Sequence, residues 1–200
     1  MFFIRLRGSI LTLRKIGICG GTFDPIHHAH LILARAAREQ LELEKVIFIP
    51  AAVSPFRDTP VASPEMRLSM VRAAIAGEEG FTCDDCELRR APPSYTIDTV
   101  EEIRKREMNT EIYCLVGEDN APTLPKWHRF NELEKMVRFI VLDRSGTQSS
   151  HSFPTVRRKI DISATDIRKR VASGRSIRYL VPPAVEEIIS QGNLYREQVK

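Results

Sequence analysis

Apolar residues along the chain fall into short, nearly continuous runs separated by longer stretches in which they recur every three or four positions. The runs at residues 15–20, 45–50, 81–88, 111–117 and 137–143 are rich in Ile, Val, Phe and Cys and predict β-strands. Their unbroken apolar character suits a parallel sheet covered on both faces. Between them the period changes. Leu31, Ala34 and Leu41 share a helical face within residues 28–41. Ser63 is placed to cap a helix with Pro64 at its first position, and Met66, Met70 and Ala74 then repeat every four residues until Gly77. Thr96 predicts the cap of a further helix carrying Ile97, Val100 and Ile103. Strands alternating with helices imply right-handed crossovers and a doubly wound α/β sheet. Residues 145–152 form a polar loop, and a small helical extension runs from Ser163 to the end.

Composition narrows this picture. A chain of 200 residues fits one domain that buries about 70% of its unfolded surface, so its stability requires neither metal nor disulfide. The expected domain is residues 15–200. Residues 1–14 form an apolar and basic leader, interrupted by Arg5 and Arg7, with no cleavage site of the secretory kind. This leader is expected to be disordered. No run approaches 18 apolar residues, so a spanning helix is not expected and a cytoplasmic location is. The four cysteines Cys19, Cys83, Cys86 and Cys114 read as reduced thiols, and the single Cys-x-x-Cys pair lacks the second pair of a zinc site. The net charge of +4 is spread along the chain without a block of like charges, which favours small anions over nucleic acid as ligands.

In an open parallel sheet, ligands collect at the carboxyl edge of the strands, near the switch in strand order. Gly20-Gly21, Pro50-Ala51 and Gly117-Glu118-Asp119 are all predicted there. The first segment continues as Thr22-Phe23-Asp24-Pro25-Ile26-His27-His28-Ala29-His30. Paired glycines let backbone N–H groups approach a phosphate, and the turn feeds a helix N-terminus that favours anions. His27 and His30, three apart, can face one phosphate. Alone, the glycines read more readily as an ordinary turn and the histidines as surface residues, with metal binding by the histidines a lesser alternative. Neither a P-loop nor G-x-G-x-x-G is present, which removes the main support for a kinase or a dehydrogenase.

A second segment, Ile162-Ser163-Ala164-Thr165-Asp166-Ile167-Arg168, opens the helical extension. Ser163 and Asp166 have capping-box spacing, and Thr165 and Arg168 share a face from which a hydroxyl and a guanidinium can reach phosphate oxygens. By itself this is a plain helix start. Taken together, G-T-F-D-P-I-H-x-x-H and I-S-x-T-x-I-R resemble the paired motifs of the nucleotidylyltransferase superfamily. Within it, Pro93-Ser94-Tyr95-Thr96-Ile97-Asp98-Thr99, Val116-Gly117-Glu118-Asp119, Leu124-Pro125-Lys126-Trp127 and Val181-Pro182-Pro183-Ala184-Val185 resemble the bacterial nicotinate-nucleotide adenylyltransferases. The resemblance covers residues 15–196.

It implies a Rossmann-like fold, ATP with Mg²⁺, and nicotinate mononucleotide as acceptor. Gly20, Gly21, Thr22 and Phe23 would line the nucleotide cleft, with His27 and His30 on the ATP phosphates. Ser163, Thr165 and Arg168 would hold the outer phosphates, and Asp119 a ribose hydroxyl. Trp127 would stack on the pyridine ring, with Thr96 and the backbone at His128 near its carboxylate and Arg57 on the acceptor side. Three positions depart from the family pattern: Ala29 replaces glycine, Ala164 replaces serine, and Pro55-Phe56-Arg57 replaces Pro-His-Lys. The rival readings are another phosphorylated acceptor in the same superfamily, a nucleotide sensor without turnover, and a nucleic-acid binder. The last would need an anticodon domain and a K-M-S-K-S-like loop, which the sequence lacks. Neither nucleic acid nor membrane is an expected partner, and homo-oligomer formation is left open.

Overall fold

The computed structural model describes residues 13–53, 59–146 and 151–196. Six strands form one parallel sheet: β1 (Arg14–Gly21), β2 (Lys45–Pro50), β3 (Phe81–Cys83), β4 (Thr110–Gly117), β5 (Arg138–Asp143) and β6 (Thr155–Arg157). Their order across the sheet is β3-β2-β1-β4-β5-β6. The order reverses between β1 and β4, which pair in register from Arg14↔Thr110 to Cys19↔Leu115. Strand β1 begins at Arg14, one residue before the expected domain boundary. The expected leader otherwise lies almost wholly outside the described residues.

The strands are apolar throughout because both faces of the sheet are covered. Ile16, Ile18, Ile47, Ile49, Ile112, Cys114, Val116, Phe139 and Val141 point into one core. Their neighbours Cys19, Val46, Phe48, Tyr113, Leu115, Ile140 and Leu142 point into the other. Side chains alternate with period two, so each strand feeds both layers. The second layer is built by α1 (His28–Leu41), α2 (Pro64–Ala74), α6 (Ala164–Ala172) and α7 (Pro183–Gln191). The first is built by α3 (Cys86–Arg89), α4 (Thr96–Arg106) and α5 (Phe130–Met136).

Two expectations are corrected locally, and one strand was not expected. The run at 81–88 is a strand only to Cys83. The Asp84 carboxylate then accepts the Cys86 N–H at 2.9 Å and turns the chain into α3. Thr96 is the first residue of α4 and not its cap, which is Tyr95. Strand β6, three residues long and with only Val156 buried, carries too little pattern to be read in advance. The predicted cap of α2 is present, the Ser63 hydroxyl accepting the Met66 N–H at 3.3 Å. No helix among the described residues is long and apolar enough to cross a membrane.

The exit of β1 distinguishes its two glycines. A β-carbon on Gly21 would lie 2.9 Å from the Phe23 ring, whereas one on Gly20 would meet nothing within 4 Å. Phe23 is buried, holds a left-handed backbone (φ 50°) and packs on Phe48 and His30, so its ring has nowhere to move. Gly21→Ala should therefore destabilise the fold by about 1–3 kcal/mol, the range for overpacking a filled site. Gly20→Ala should leave stability near wild type. Equal urea midpoints for the two variants would contradict this account of the turn.

Candidate active site

The carboxyl edge of the sheet opens into a cleft of about 780 Å³, within the range of small-molecule sites. Every described residue singled out from the sequence lines it: Gly20, Gly21, Thr22, Phe23, His27, His30, Thr96, Asp119, Trp127, His128, Ser163, Thr165 and Arg168. Arg57 lies outside the described residues. The cleft sits where the order reverses between β1 and β4, flanked by residues from the ends of β2 and β5.

The first wall is the start of α1. His27 is its N-cap, with extended backbone, and His30 stands one turn on. Their rings stack with centroids 3.8 Å apart. The His27 backbone N–H donates to His30 Nδ1 at 3.2 Å. A neutral imidazole that accepts at Nδ1 carries its proton on Nε2, which makes that nitrogen a donor. Burial, with Arg144 second, holds His30 down at about 4. Burial also lowers His27, helped by His30 and Arg144. Both imidazoles are neutral near pH 7, and His27 Nδ1 is buried with no protein partner.

The opposite wall is the start of α6. Ser163 Oγ accepts the Asp166 N–H at 3.1 Å, so its cap role is met, while its own O–H remains a donor. Arg168 is anchored by Nη1 to the Asp24 carbonyl at 2.7 Å and approaches Thr165 Oγ1 with Nη2 at 3.4 Å. That anchor joins the second motif to the first across 144 residues of sequence. At the far end of the cleft, Trp127 follows a 3-10 stretch (Glu118–Lys126) and packs edge-on to Phe139, its indole N–H buried without a protein acceptor. His128 stacks on Tyr95 at 4.3 Å. Thr96 opens α4, whose N-terminus no side chain caps. Arg129, two residues beyond Trp127, is held by Glu101 at 2.9 Å and Glu132 at 2.7 Å.

Four further residues escaped the sequence reading. Asp24 is buried, its carboxylate taking the N–H groups of Val61 and Ala62 and the Tyr195 hydroxyl. Arg67, fully buried, donates to the carbonyls of Thr22 and Ala51 at 2.8 and 2.7 Å. Glu87 lines the cleft beneath Ser94 and accepts from Thr99 Oγ1 at 2.8 Å, burial raising its carboxyl. Arg144 lines the cleft one residue beyond β5. For Arg144 alone a signal existed: the strand-edge rule that selects Gly20, Pro50 and Gly117 applies equally to the exit of β5. Gly117 leaves room for Asp119, since a β-carbon there would sit 2.7 Å from its Oδ1.

Residues 18–170 match the cytidylyltransferase-like family. A protein of Exiguobacterium sibiricum named probable nicotinate-nucleotide adenylyltransferase is 42% identical over 188 residues, spanning 90% of this chain and 98% of that protein. One of the same name from Herpetosiphon aurantiacus is 37% identical over 196 residues, spanning 92% and 99%. Among solved structures, Plasmodium falciparum nicotinic acid mononucleotide adenylyltransferase complexed with NaAD superposes with a TM-score of 0.75 at 17% identity, covering 94% of this chain and 100% of that one. The fold is the same.

The depressed histidine pKa has a consequence for stability. An imidazole at about 4 in the folded chain and at its ordinary 6.5 when unfolded binds its proton more readily in the unfolded state. Its contribution is complete above pH 6.5 and is lost as pH falls from there toward 4. The melting temperature of the ligand-free protein should drop across that window, and His30→Asn should flatten the drop. An unchanged slope in His30→Asn would show that the imidazole is not held neutral.

Proposed function

The chain belongs to the cytidylyltransferase-like family and, within it, to the nicotinate-nucleotide adenylyltransferases, and from that premise we propose that it transfers AMP from ATP to nicotinate mononucleotide, forming nicotinate adenine dinucleotide and pyrophosphate. One observation carries the reading. A single cleft holds stacked imidazoles and a helix N-terminus with its arginine at one end, and an indole beside an uncapped helix N-terminus at the other. The first end suits a polyphosphate and the second a flat anionic ring.

The chemistry asks for positioning more than for a base. The acceptor's phosphate is largely dianionic at pH 7, its second pKa being about 6. One of its oxygens attacks the α-phosphorus of ATP, the bond to the bridging oxygen breaks, and pyrophosphate leaves with the electron pair. His27 and His30 donate to oxygens around the α- and β-phosphates, where charge develops. Such a donor is worth about 3–4 kcal/mol in a water-poor site. Arg168, with Ser163, Thr165 and the backbone N–H groups opening α6, holds the departing pyrophosphate. Gly20, with no side chain toward the cleft, lets the nucleotide lie on the exit of β1, and Asp119 takes a ribose hydroxyl.

Mg²⁺ is the proposed metal. No group of three His, Cys, Asp or Glu side chains among the described residues is arranged to hold an ion. The phosphate end offers imidazole, hydroxyl and guanidinium donors, a set that fits an ion carried on phosphate oxygens and completed by water. When bound, it would neutralise charge on the leaving pyrophosphate, while His27, His30, Ser163, Thr165 and Arg168 grip the phosphates themselves. The proposed setting is the cytoplasm, with ATP and the mononucleotide as partners.

At the acceptor end Trp127 stacks on the pyridine, and the N-terminus of α4 at Thr96 takes the nicotinate carboxylate, with the His128 backbone nearby. Since Arg129 is neutralised by two glutamates, preference for the acid over the amide rests on helix N–H donors.

Four outcomes follow from these roles. His27→Ala and His30→Ala should each lower kcat by at least ~100-fold with folding nearly intact, in an assay of pyrophosphate release. Near wild-type turnover in both would remove the proposed catalytic pair. Arg168→Lys should be impaired in ATP use almost as much as Arg168→Ala, because an ammonium cannot donate to Asp24 and phosphate in the same fork. As the chain's single tryptophan, Trp127 should report acceptor binding by its emission. Nicotinate mononucleotide should exceed nicotinamide mononucleotide by at least ~10-fold in kcat/KM. No emission change at saturating acceptor, with equal rates for the two mononucleotides, would defeat the acceptor assignment.

A further inference from the structure

Strand β5 ends in Asp143-Arg144-Ser145-Gly146, and the local hydrogen bonds leave this turn little freedom. Asp143 is fully buried. Its carboxylate accepts Ser145 N–H at 2.8 Å, Ser145 O–H at 2.8 Å, Gly146 N–H at 3.2 Å and Arg157 Nε–H at 3.1 Å. Gly146 takes the left-handed conformation the turn requires, with φ 69°. The Arg144 carbonyl accepts the Ile160 N–H at 3.0 Å. The backbone of Arg144 is thus fixed at the carboxyl edge of the sheet, and its side chain lines the cleft.

The guanidinium is fixed as well. Nη1 donates to the carbonyl of Ile162 at 2.8 Å, immediately before the Ser163 cap of α6. This places a permanent cation between the imidazole pair at the start of α1 and the N-terminus of α6. Arg144 is close enough to both imidazoles for its charge to lower His27 and His30 alike. A guanidinium carries five N–H donors, and the carbonyl of Ile162 takes only one nitrogen. The contact is a neutral carbonyl and not a carboxylate. Among the described residues no ion pair involves Arg144.

We propose that Arg144 is a further phosphate-binding residue of this site, directing its remaining N–H donors at the polyphosphate of the nucleoside triphosphate between His30 and Arg168. The inference rests on the adenylyl-transfer reading and adds a second fixed cation, beside Arg168, to it. It assigns the exit of β5 a role alongside the exits of β1 and β4. Because the anchoring carbonyl belongs to Ile162, Arg144 also ties β5 to the helix that carries Ser163, Thr165 and Arg168.

The test is calorimetric titration of the full chain with α,β-methylene-ATP, which cannot undergo transfer, and with AMP, which has one phosphate. Wild type, Arg144→Lys and Arg144→Ala are compared, with acceptor binding followed in parallel by Trp127 emission. Arg144→Ala should bind the methylene analogue at least ~10-fold more weakly, Arg144→Lys should recover part of that loss, and AMP affinity should change much less. Acceptor binding should stay at the wild-type level. A purely structural role would weaken AMP and the triphosphate equally, and that result would overturn the proposal. Equal binding of the analogue by Arg144→Ala and wild type would overturn it while leaving the adenylyl-transfer reading intact. If wild type bound acceptor but neither nucleotide, the functional reading itself would fall, and this proposal with it.

Discussion

Asp24 sits in the turn between β1 and α1 at 4% exposure, and a carboxylate buried there costs several kcal/mol unless hydrogen bonds answer its oxygens. The partners that answer it come from different parts of the chain. Val61 and Ala62 donate from the stretch ahead of α2, at 2.8 and 3.1 Å. The Tyr195 hydroxyl donates at 2.7 Å from 171 residues away. The backbone carbonyl of the same residue receives Arg168 at 2.7 Å. Satisfying one buried acid therefore brings together the phosphate loop, the approach to α2, the C-terminal segment and the second motif. The helical extension, which looks like an appendage in the sequence, supplies a wall of the cleft from the start of α6.

The same frame explains how the cleft keeps its positive charge. Arg168 donates to the carbonyl of Asp24 and Arg144 to that of Ile162, both lining the cleft, while Arg67, buried outside the lining, donates to the carbonyls of Thr22 and Ala51. A carbonyl fixes the direction of a guanidinium without neutralising it. Peripheral arginines behave differently: Arg14 pairs with Glu44, Arg89 with Asp85 and Arg129 with Glu132. Arg38, Arg158 and Arg170 also donate to carbonyls, but none of them lines the cleft. Between the edge cations stand two neutral imidazoles, which donate hydrogen bonds without adding to the mutual repulsion. A polyanion entering this cleft meets oriented donors and uncancelled charge, the condition under which electrostatic stabilisation requires little reorganisation.

The architecture was legible because the signal was dense. Strands covered on both faces are apolar at every position, and β1, β2, β4 and β5 were bounded within a residue or so. Strand β6 was missed because three residues with one buried side chain hold no period. The end of β3 was misplaced because Asp84 turns the chain by a side-chain hydrogen bond that periodicity does not register. The site was legible to the extent that its residues lie in local motifs. The loop from Gly20 to His30 and the helix start at Ser163 announce their chemistry by spacing. Asp24 stood inside the first motif, yet its partners are non-local, so its role as a junction was invisible. Arg67 and Glu87 occupy positions whose importance comes only from what folds over them. An arginine in mid-helix and a glutamate in a charged run look like solvated surface until the structure buries them.

The two ends of the cleft recognise anions by different means, and this bears on how sharply each can discriminate. The phosphate end uses formal cations on rigid anchors, so loss of ligand charge is felt strongly there. The acceptor end has no uncancelled arginine among the described residues, because Arg129 is committed to Glu101 and Glu132. It offers the first N–H groups of α4, the Thr96 hydroxyl and the face of Trp127. Behind that surface, Arg90 donates to Thr99 at 2.6 Å and Thr99 to the buried Glu87 at 2.8 Å. The Ser94 hydroxyl meanwhile accepts the Ala52 N–H at 3.1 Å. This chain of hydrogen bonds sets the angle of α4 and hence the direction of its free N–H groups. A carboxylate gains from such donors through both charge and geometry. A carboxamide can still accept one of them through its carbonyl oxygen, and it leaves no buried charge unpaired. Discrimination against the amide is therefore graded, set by the aim of a helix terminus, in contrast to the strict rejection that an unpaired buried ion would impose.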